Sequence, residues 1–345
     1  MRHGVITLLI FLQAYSSFAQ YKWSYVGPST HPEQVKGMVK AVWSDPDHPE
    51  IVLAGSSCGG LFLSQDATSA VPHWRCINDD LQRMNFGISD VVVVPGTEHS
   101  KIFISTCSRS GVVDPYGAGI WMTEDGGKVW QHVGPGNERD LNFPMDGLVM
   151  NSENQNEMIA YAPRSLYITR DAWKTFEEVK GGFDANDKDL SITDAQFAPF
   201  EAGKFYIGTR TNNKYTAQVL MYESYGNRVK DITPADIRSE RAEIAVLHQP
   251  RFKGKFYVAC GWVECYVKFF NGKEYSLPLN AQPITQTFAG AYWNLEFAVS
   301  ERDTSVMYLS MTETSRSTNS SRSGRAFRSC ARTSVPTSVT GTAPS

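Results

Sequence analysis

Short apolar runs separated by polar turns recur along the chain with a period of about fifty residues. Each repeat begins at an anchor position followed by an apolar run, and a second apolar run starts eleven to thirteen positions later. Successive anchors lie 50, 56, 48, 49 and 51 residues apart, and they are Lys40, Asp90, Asp146, Asp194, Glu243 and Asn294. This spacing predicts a repeat architecture of six units.

Each unit contains short runs with the composition of β-strands. In the second unit, the third and fourth runs are residues 119–122 and 129–133. Turn compositions such as Asp-Pro-Asp-His-Pro at 45–49 separate the runs. The sequence lacks the amphipathic stretches of about ten or more residues that tetratricopeptide or HEAT repeats require. We therefore predict an all-β fold, a six-bladed β-propeller of four-stranded antiparallel blades.

The N-terminal region predicts how this ring closes. Residues 23–28 (WSYVGP) repeat the pattern of residues 130–135 (WQHVGP), the fourth run of the second unit, although they precede every first run. The last unit, from Asn294 to about Asn319, supplies three runs before its pattern degenerates. We expect the N-terminal strand to complete the last blade, because an open ring would leave strand edges exposed.

Residues 1–19 have the pattern of a secretory signal peptide, with a charged start, an apolar run at 5–12 and a small-residue site at 17–19. The apolar run is too short to span a bilayer, and no later run approaches about 20 apolar residues. We predict a mature chain that begins at Gln20 and is secreted, periplasmic or extracellular, without a membrane span. Export permits disulfides among the six cysteines and leaves their pairing open.

The overall composition is that of a globular protein, with 41% hydrophobic and 20% charged residues. A formal net charge of −3 removes the electrostatic basis for a dedicated nucleic-acid binder. The last 32 residues differ, because they contain nine Ser, six Thr, five Arg and no acidic residue. We expect a propeller at 20–313 and a tail at 314–345 that is disordered, or that results from a shift of the coding frame. A longer parent protein could close with more blades.

Two units carry the same motif between their third and fourth runs. Residues 123–130 (TEDGGKVW) and 169–176 (TRDAWKTF) both place an Asp two positions after a Thr and end in an aromatic residue, and Ser64-Gln-Asp66 is similar. Such an Asp can accept hydrogen bonds from its own turn, and the aromatic residue can pack between blades. A structural role is therefore predicted for Asp66, Asp125, Trp130, Asp171 and Phe176.

These motifs resemble the Asp-box of bacterial neuraminidase repeats. Residues 21–327 resemble the Asp-box β-propellers related to sialidases, xyloglucan hydrolases and sortilin, which implies an extracellular propeller that binds or acts on glycans. Two departures weaken an enzymatic assignment. Ser57 stands where the xyloglucan-hydrolase pattern has a catalytic Asp, and the sequence lacks the Arg-Ile-Pro motif of sialidases.

In a propeller, the connections between second and third strands and between successive blades emerge on one face, where ligands usually bind. The loops expected on this face combine aromatic and polar side chains, which suits the apolar faces and hydroxyl groups of sugars. The candidate ligand-binding residues in these loops are Arg109, Tyr116, Arg164, Arg210 and Trp262. An ordinary solvated loop surface is an equally good interpretation.

The anchors begin the innermost strands, so we expect them to form a ring at the mouth of the central channel. Its four acids, Asp90, Asp146, Asp194 and Glu243, are candidate ligand-binding residues that need backbone N–H partners, water, a cation or raised pKa values. We favour backbone bonds between neighbouring blades, with a bound cation or polyol as the alternative. For a glycosidase, Asp146 and Asp194 are the candidate catalytic pair.

The remaining motifs exclude several classes of site. The histidines and cysteines have no zinc-ligand spacing, and neither a phosphate-binding loop nor a Gly-x-Ser-x-Gly motif is present in the sequence, so no cofactor is predicted. We predict an exported propeller that binds a carbohydrate or a cell-surface protein, without an identifiable catalytic set. The alternatives are a glycoside hydrolase that uses the channel-mouth carboxylates and a truncated, inactive fragment.

Overall fold

The computed structural model describes most of the chain between residues 39 and 334. The described residues are 27, 39–57, 59–78, 81, 87–107, 116–137, 142–183, 187, 189–211, 216–235, 239–261, 266–276, 291–300, 306–314 and 327–334. Within these ranges the regular elements are β-strands, apart from short 3-10 turns at Ser224–Gly226 and Pro250–Phe252. The predicted signal peptide and the predicted closing strand lie outside the described residues.

The first three sheets, units 1–3, are antiparallel, have four strands each and follow chain order. The strands of unit 1 are β1 (Val39–Ser44), β2 (Val52–Ser56), β3 (Gly60–Ser64) and β4 (Arg75–Cys76). Those of unit 2 are β5 (Ile88–Val93), β6 (Ile102–Thr106), β8 (Ile120–Thr123) and β9 (Gln131–Val133). Those of unit 3 are β11 (Gly147–Asn151), β12 (Asn154–Ala162), β13 (Ser165–Thr169) and β14 (Glu177–Glu178). Between units 2 and 3, β7 (Gly117–Ala118) pairs in parallel with β10 (Asn142–Phe143).

Units 4 and 5 repeat the pattern and are joined where Arg210 pairs with Arg241. Unit 4 contains β15 (Leu190–Phe197), β16 (Phe205–Thr211), β17 (Val219–Glu223) and β18 (Arg228–Asp231). Unit 5 contains β19 (Arg241–Val246), β20 (Phe256–Gly261), β21 (Tyr266–Phe270) and β22 (Tyr275–Ser276). Unit 6 has three described strands, β23 (Ala291–Val299), β24 (Val306–Thr314) and β25 (Phe327–Ser334). The strand β25 lies inside the segment 314–345 that the sequence predicts as a tail.

The first strands of successive units are neighbours. β1 adjoins β5, and the same relation joins β5 to β11, β11 to β15, β15 to β19 and β19 to β23. Apolar side chains fill the space between consecutive units, for example Leu53 and Leu61 of unit 1 against Ile88 and Ile104 of unit 2. Because units 2–4 are covered on both faces, their second strands β6, β12 and β16 contain runs of successive buried apolar residues, and β6 is buried throughout. The predicted all-β, antiparallel architecture is confirmed, and its layout is that of a propeller.

The strand register corrects the sequence alignment at two anchors. Pairing shifts by one residue near the start of β1, β5, β15 and β23, as in a β-bulge. The residues that then occupy equivalent positions are Ala41, Asp90, Gly147, Asp194, Glu243 and Asn294. Lys40 and Asp146 therefore lie one residue before this position, because the turn that follows the first strand is one residue shorter in units 1 and 3 than in unit 2.

Candidate functional site

Two anchor carboxylates bond the backbone of the next unit. Asp194 Oδ2 accepts a hydrogen bond from the N–H of Ile244 in unit 5 at 2.7 Å, and its Oδ1 accepts one from the Gln196 side chain at 3.0 Å. Asp90 Oδ2 likewise accepts a bond from the N–H of Leu148 in unit 3 at 3.1 Å. These acids occupy equivalent positions and hold adjacent first strands together, which gives their charges a structural function.

The other two anchor acids have different environments. Glu243 is buried and accepts a hydrogen bond from Arg241 Nε at 2.6 Å, so its charge is compensated within the same strand. Asp146 is only partly buried, and its Oδ1 accepts a bond from the Cys107 thiol at 3.3 Å. Cys107 directly follows β6, at the loop between the second and third strands of unit 2. Asp146 is thus the anchor acid that is associated with a loop of the expected ligand face.

All four acids act electrostatically on one buried side chain, Tyr161. Burial and then the charges of Asp194, Asp90, Glu243 and Asp146 raise the pKa of Tyr161 well above its usual range. The Tyr161 hydroxyl donates a hydrogen bond to the Thr193 carbonyl at 3.2 Å. Its ring occupies the space over Gly147, because a Cβ on Gly147 would lie 2.3 Å from the ring. Burial and these four charges therefore all favour the neutral form of Tyr161.

The Asp residues of the Thr-x-Asp motifs accept hydrogen bonds within their own turns. Asp125 Oδ1 accepts bonds from the N–H groups of Lys128 and Val129 at 2.9 Å each. Asp171 accepts bonds from the Thr175 N–H at 2.8 Å and from the Thr175 hydroxyl at 2.6 Å. The bond from the Val129 N–H to Asp125, and that from the Thr175 hydroxyl to Asp171, are the main causes that lower the pKa values of these carboxyls.

In unit 1, Asp66 likewise accepts hydrogen bonds within the longer turn between β3 and β4. Asp66 Oδ2 lies 2.6 Å from His73 Nδ1, and its Oδ1 accepts a bond from the Ser64 hydroxyl at 3.0 Å. The His73 contact is the main cause that lowers the pKa of Asp66. In unit 5, Asn271 Oδ1 accepts the N–H groups of Lys273 and Glu274. An amide therefore fills the position of the Asp in that unit.

The aromatic residues of these turns differ in burial. The Trp130 indole donates a hydrogen bond to the Ile77 carbonyl of unit 1 at 3.0 Å, so it bridges two units. In unit 3, Phe176 is 44% exposed, whereas Trp173 is 3% exposed and packs over Gly134 of unit 2. The residue that fills the junction between units 2 and 3 is therefore Trp173, and not Phe176 as the motif predicts.

A groove opens at one end of unit 4. The turn between β17 and β18 lies at the other end of the unit. It has a volume of about 860 Å³. Three connections meet there, namely the loop from unit 3 to unit 4, the loop between β16 and β17, and the loop that leaves β18. The lining residues are Gly182, Phe183, Asp187, Leu190, Thr211, Thr216, Ala217, Gln218, Asp231, Thr233, Pro234 and Ala235.

A hydrogen-bond network fixes the polar wall of this groove. Asp231 accepts bonds from the Thr233 N–H at 2.9 Å and from the Thr233 hydroxyl at 2.5 Å, and its second oxygen accepts the Gln218 amide at 3.1 Å. The Thr216 N–H donates to the Thr211 hydroxyl oxygen at 3.3 Å, which leaves that hydroxyl able to donate. The Thr233 hydroxyl also accepts the Val219 N–H at 2.9 Å, and Thr211 is 2% exposed. The lining therefore combines the polar side chains of Thr216, Gln218 and Asp231 with the ring of Phe183.

The other candidate ligand residues are spread over the same face. Tyr116 is 44% exposed just before β7, and Arg164 is exposed in the tight turn between β12 and β13. Arg210 is partly exposed on β16, next to the groove residue Thr211. Arg109 and Trp262 lie outside the described residues. The structure brings the anchor acids together, and it does not gather these loop residues into one described cluster.

Sequence reasoning missed several residues that form the site. Arg241 lies two positions before Glu243 on one strand, and this spacing could have indicated a pair on the same face. The position of Tyr161 beside the anchor acids depends on its pairing with Gly147, which the sequence does not show. Phe183, Gln218 and the other groove residues carry no motif, because they come from three separate connections.

The described part of the chain contains neither a candidate metal site nor a candidate membrane helix. Among the described residues, no group of three or more His, Cys, Asp or Glu side chains is arranged to hold a metal ion. No helix in the described part of the chain is long and apolar enough to cross a bilayer. A cation at the channel mouth therefore stays a prediction from sequence.

Comparisons with known proteins show the fold. No protein-family model matches the sequence, and no curated protein matches it. Among solved structures, an ancestral GH74 enzyme is 14% identical over 81% of this chain and 39% of its own, with a TM-score of 0.58. The GH74 xyloglucanase from Xanthomonas campestris is 14% identical over 86% of this chain and 45% of its own, with a TM-score of 0.57.

A third similar structure is YCF48 from Cyanidioschyzon merolae, 12% identical over 80% of both chains, with a TM-score of 0.50. The neighbours are β-propellers, so the chain has a propeller fold. The chain spans less than half the length of the two GH74 enzymes, with coverage of 39% and 45%. At these identities the likeness concerns the fold alone.

Proposed function

We propose that the chain is an exported, six-bladed β-propeller that binds a carbohydrate in the groove of unit 4 and does not hydrolyse it. The observation that carries this proposal is the groove itself, an open space of about 860 Å³ lined by hydroxyl, amide and carboxylate groups beside an aromatic ring. Sugar hydroxyls need both acceptors and donors, and the apolar face of a sugar ring packs on an aromatic side chain.

The groove has the polarity that such a ligand requires. The Gln218 amide donates to Asp231, so the side chain of Gln218 is oriented before a ligand arrives. Phe183 and Pro234 supply apolar surface on the same lining. A flexible polysaccharide would lie along this open groove rather than enter a closed cavity.

The state of the anchor acids supports binding without turnover. A glycosidase needs two carboxyl groups that face the sugar, and one of them must exchange a proton with the leaving group. Asp194 is 9% exposed, and both of its oxygens already accept hydrogen bonds from the protein. Asp194 is therefore poorly suited to act as a general acid or as a nucleophile.

Xyloglucan is the natural first probe, because one of the similar structures is a xyloglucanase. The experiment is affinity electrophoresis of the mature chain in gels containing xyloglucan, with a reducing-sugar assay of the same polymer in solution. Retardation without release of reducing ends supports the proposal. Release of reducing ends that persists in purified, homogeneous protein contradicts it. If xyloglucan gives no retardation, a glycan array extends the probe set, and no binding to any glycan overturns the proposal.

A glycoside hydrolase is the second candidate, and one specific observation favours it. Asp146 is a partly exposed carboxylate near three other acids, close to a loop of the ligand face, in a fold that it shares with GH74 enzymes. This function predicts release of reducing ends that is abolished by Asp146→Asn. If Asp146→Asn and Asp194→Asn leave any turnover unchanged, the channel-mouth acids are not catalytic.

A further inference from the structure

Two adjoining turns at one end of unit 5 carry four basic side chains. Three belong to the turn between β19 and β20, and one belongs to the turn between β21 and β22. The residues of this basic patch are Arg251, Lys253, Lys255 and Lys273. The two turns are in contact, because a Cβ on Gly272 would lie 3.6 Å from the Gly254 carbonyl oxygen. Lys255 is partly exposed, and the other three members of the patch are exposed.

Among the described residues, no carboxylate pairs with the basic patch. The contacts of its charged groups are to a phenyl ring and to a backbone carbonyl oxygen. Cations of other units do pair with acids, for example Lys101 with Glu124 and Lys204 with Glu201, each at 3.2 Å. The two turns contain a single acid, Glu274, beside the four bases. The patch is therefore locally positive in a chain whose formal net charge is −3.

The turn between β19 and β20 is ordered by its own contacts. The Lys255 N–H donates to the Phe252 carbonyl at 2.8 Å, and the Lys255 ammonium donates to the Arg251 carbonyl oxygen at 3.2 Å. The Arg251 guanidinium lies over the Phe252 ring, 5.0 Å from its centre, and this ring packs edge-to-face with Phe269. The charges are thus positioned before a partner arrives, which lowers the entropic cost of binding.

The contacts of Phe252 narrow the class of polyanion that fits the patch. Proteins that bind single-stranded nucleic acid stack bases on free aromatic rings, and membrane-surface segments insert apolar side chains into the bilayer. Phe252, the aromatic residue of this turn, is instead engaged by Arg251 and Phe269. An acidic polysaccharide requires neither mode, because its repeated carboxylate or sulfate groups bind to Lys and Arg directly.

We propose that the basic patch is a binding surface for an acidic polysaccharide that carries carboxylate or sulfate groups along its chain. Such a polymer engages several of the four cations at once, so its avidity exceeds that of a single ion pair. The surface is separate from the groove of unit 4. The start of β19 adjoins the groove end of unit 4 through the pairing of Arg241 with Arg210, whereas the basic patch follows the end of β19.

Affinity electrophoresis of the mature chain in gels containing dextran sulfate or polygalacturonate tests this proposal, with neutral dextran as the blank polymer. The patch variant is Lys253→Glu/Lys273→Glu. The control variant, Lys128→Glu/Lys174→Glu, makes the same charge change at exposed turn residues of units 2 and 3. We expect the patch variant to bind at least about tenfold more weakly than the unmodified chain, and the control variant to bind within about twofold of it. Equal weakening in both variants, or no retardation of the unmodified chain by either acidic polymer, overturns the proposal.

Further measurements separate the polysaccharide from other polyanions and from ligands of the groove. We expect weaker binding to phosphatidylglycerol vesicles and to single-stranded DNA than to the acidic polysaccharides, and tighter binding to either overturns the assignment. Retardation by neutral xyloglucan should be the same for the patch variant and the unmodified chain, and its loss in the patch variant would show that the two surfaces are not separate. If the patch variant does not fold, as judged by thermal unfolding, Lys253→Ser/Lys273→Ser replaces it with the same outcomes.

Discussion

The Asp194 carboxylate accepts the N–H of Ile244 at 2.7 Å across the junction between units 4 and 5. The same contact joins Asp90 to Leu148 between units 2 and 3. N–H groups near the start of a first strand, such as those of Ile244 and Leu148, have no β-sheet partner on the side that faces the preceding unit. An acid at this position satisfies one of them, which explains why acidic residues recur there in a protein without an identified catalytic pair.

Replacing Asp194 should therefore destabilise the fold. We expect Asp194→Ala to lower the free energy of unfolding by about 2 to 3 kcal/mol, because it leaves the N–H of Ile244 buried without its acceptor. Asp194→Asn keeps one oxygen and should cost less. Urea unfolding followed by tryptophan fluorescence measures both, with the exposed Asp47→Ala as control. A loss for Asp194→Ala no larger than that for Asp47→Ala would show that the bond is not structural.

The junction between units 2 and 3 should depend on Trp173 rather than on Phe176. Trp173→Ala removes a side chain that is 3% exposed and should cost about 3 to 5 kcal/mol. Phe176→Ala, at a residue that is 44% exposed, should cost less than about 1 kcal/mol. Thermal unfolding of the two variants checks the order, and a reversed order would restore the role that the motif assigns to Phe176.

Acid should weaken the fold through the turn carboxylates. The pKa values of Asp66, Asp125 and Asp171 lie below the usual 3.8 in the folded chain. Their contribution to stability is therefore complete above the unfolded-state pKa and is lost as the pH falls through the folded-state values. Asp171→Asn should flatten the fall in stability below about pH 4. Urea midpoints measured from pH 7 to pH 3 test this, and an unchanged slope for the variant would contradict it.

A second polar contact links units 3 and 4. Glu157 is 7% exposed and accepts hydrogen bonds from the Tyr225 hydroxyl at 3.1 Å and from the Asn151 amide at 2.8 Å. Tyr225→Phe removes one donor from a buried carboxylate and should cost about 1 to 2 kcal/mol. Tyr116→Phe, at an exposed tyrosine, is the matched control. Equal unfolding midpoints for the two variants would mean that Tyr225 does not stabilise Glu157.

The repeat and the turn chemistry could be predicted from sequence because they depend on residues close together in the chain. The roles of Asp125 and Asp171 follow from a motif of eight residues. The position of Asp146 in the repeat could not be predicted, because the turn between the first two strands is one residue shorter in unit 3 than in unit 2. The groove could not either, since Phe183, Gln218 and Asp231 meet only when three connections fold onto one face. Likewise, the motif does not show that Trp173, rather than Phe176, packs over Gly134 at the junction between units 2 and 3.

The most direct test of carbohydrate binding in the groove compares two glutamine variants by isothermal titration calorimetry with xyloglucan oligosaccharides. Gln218→Ala removes a groove side chain, whereas Gln155→Ala removes a side chain that bonds the Pro95 carbonyl, away from the groove. We predict that Gln218→Ala weakens binding by about tenfold, the effect of losing one or two hydrogen bonds, and that Gln155→Ala leaves it unchanged. Equal affinity for the two variants, or titration heat that continues as the oligosaccharide is cleaved, would contradict the proposed function.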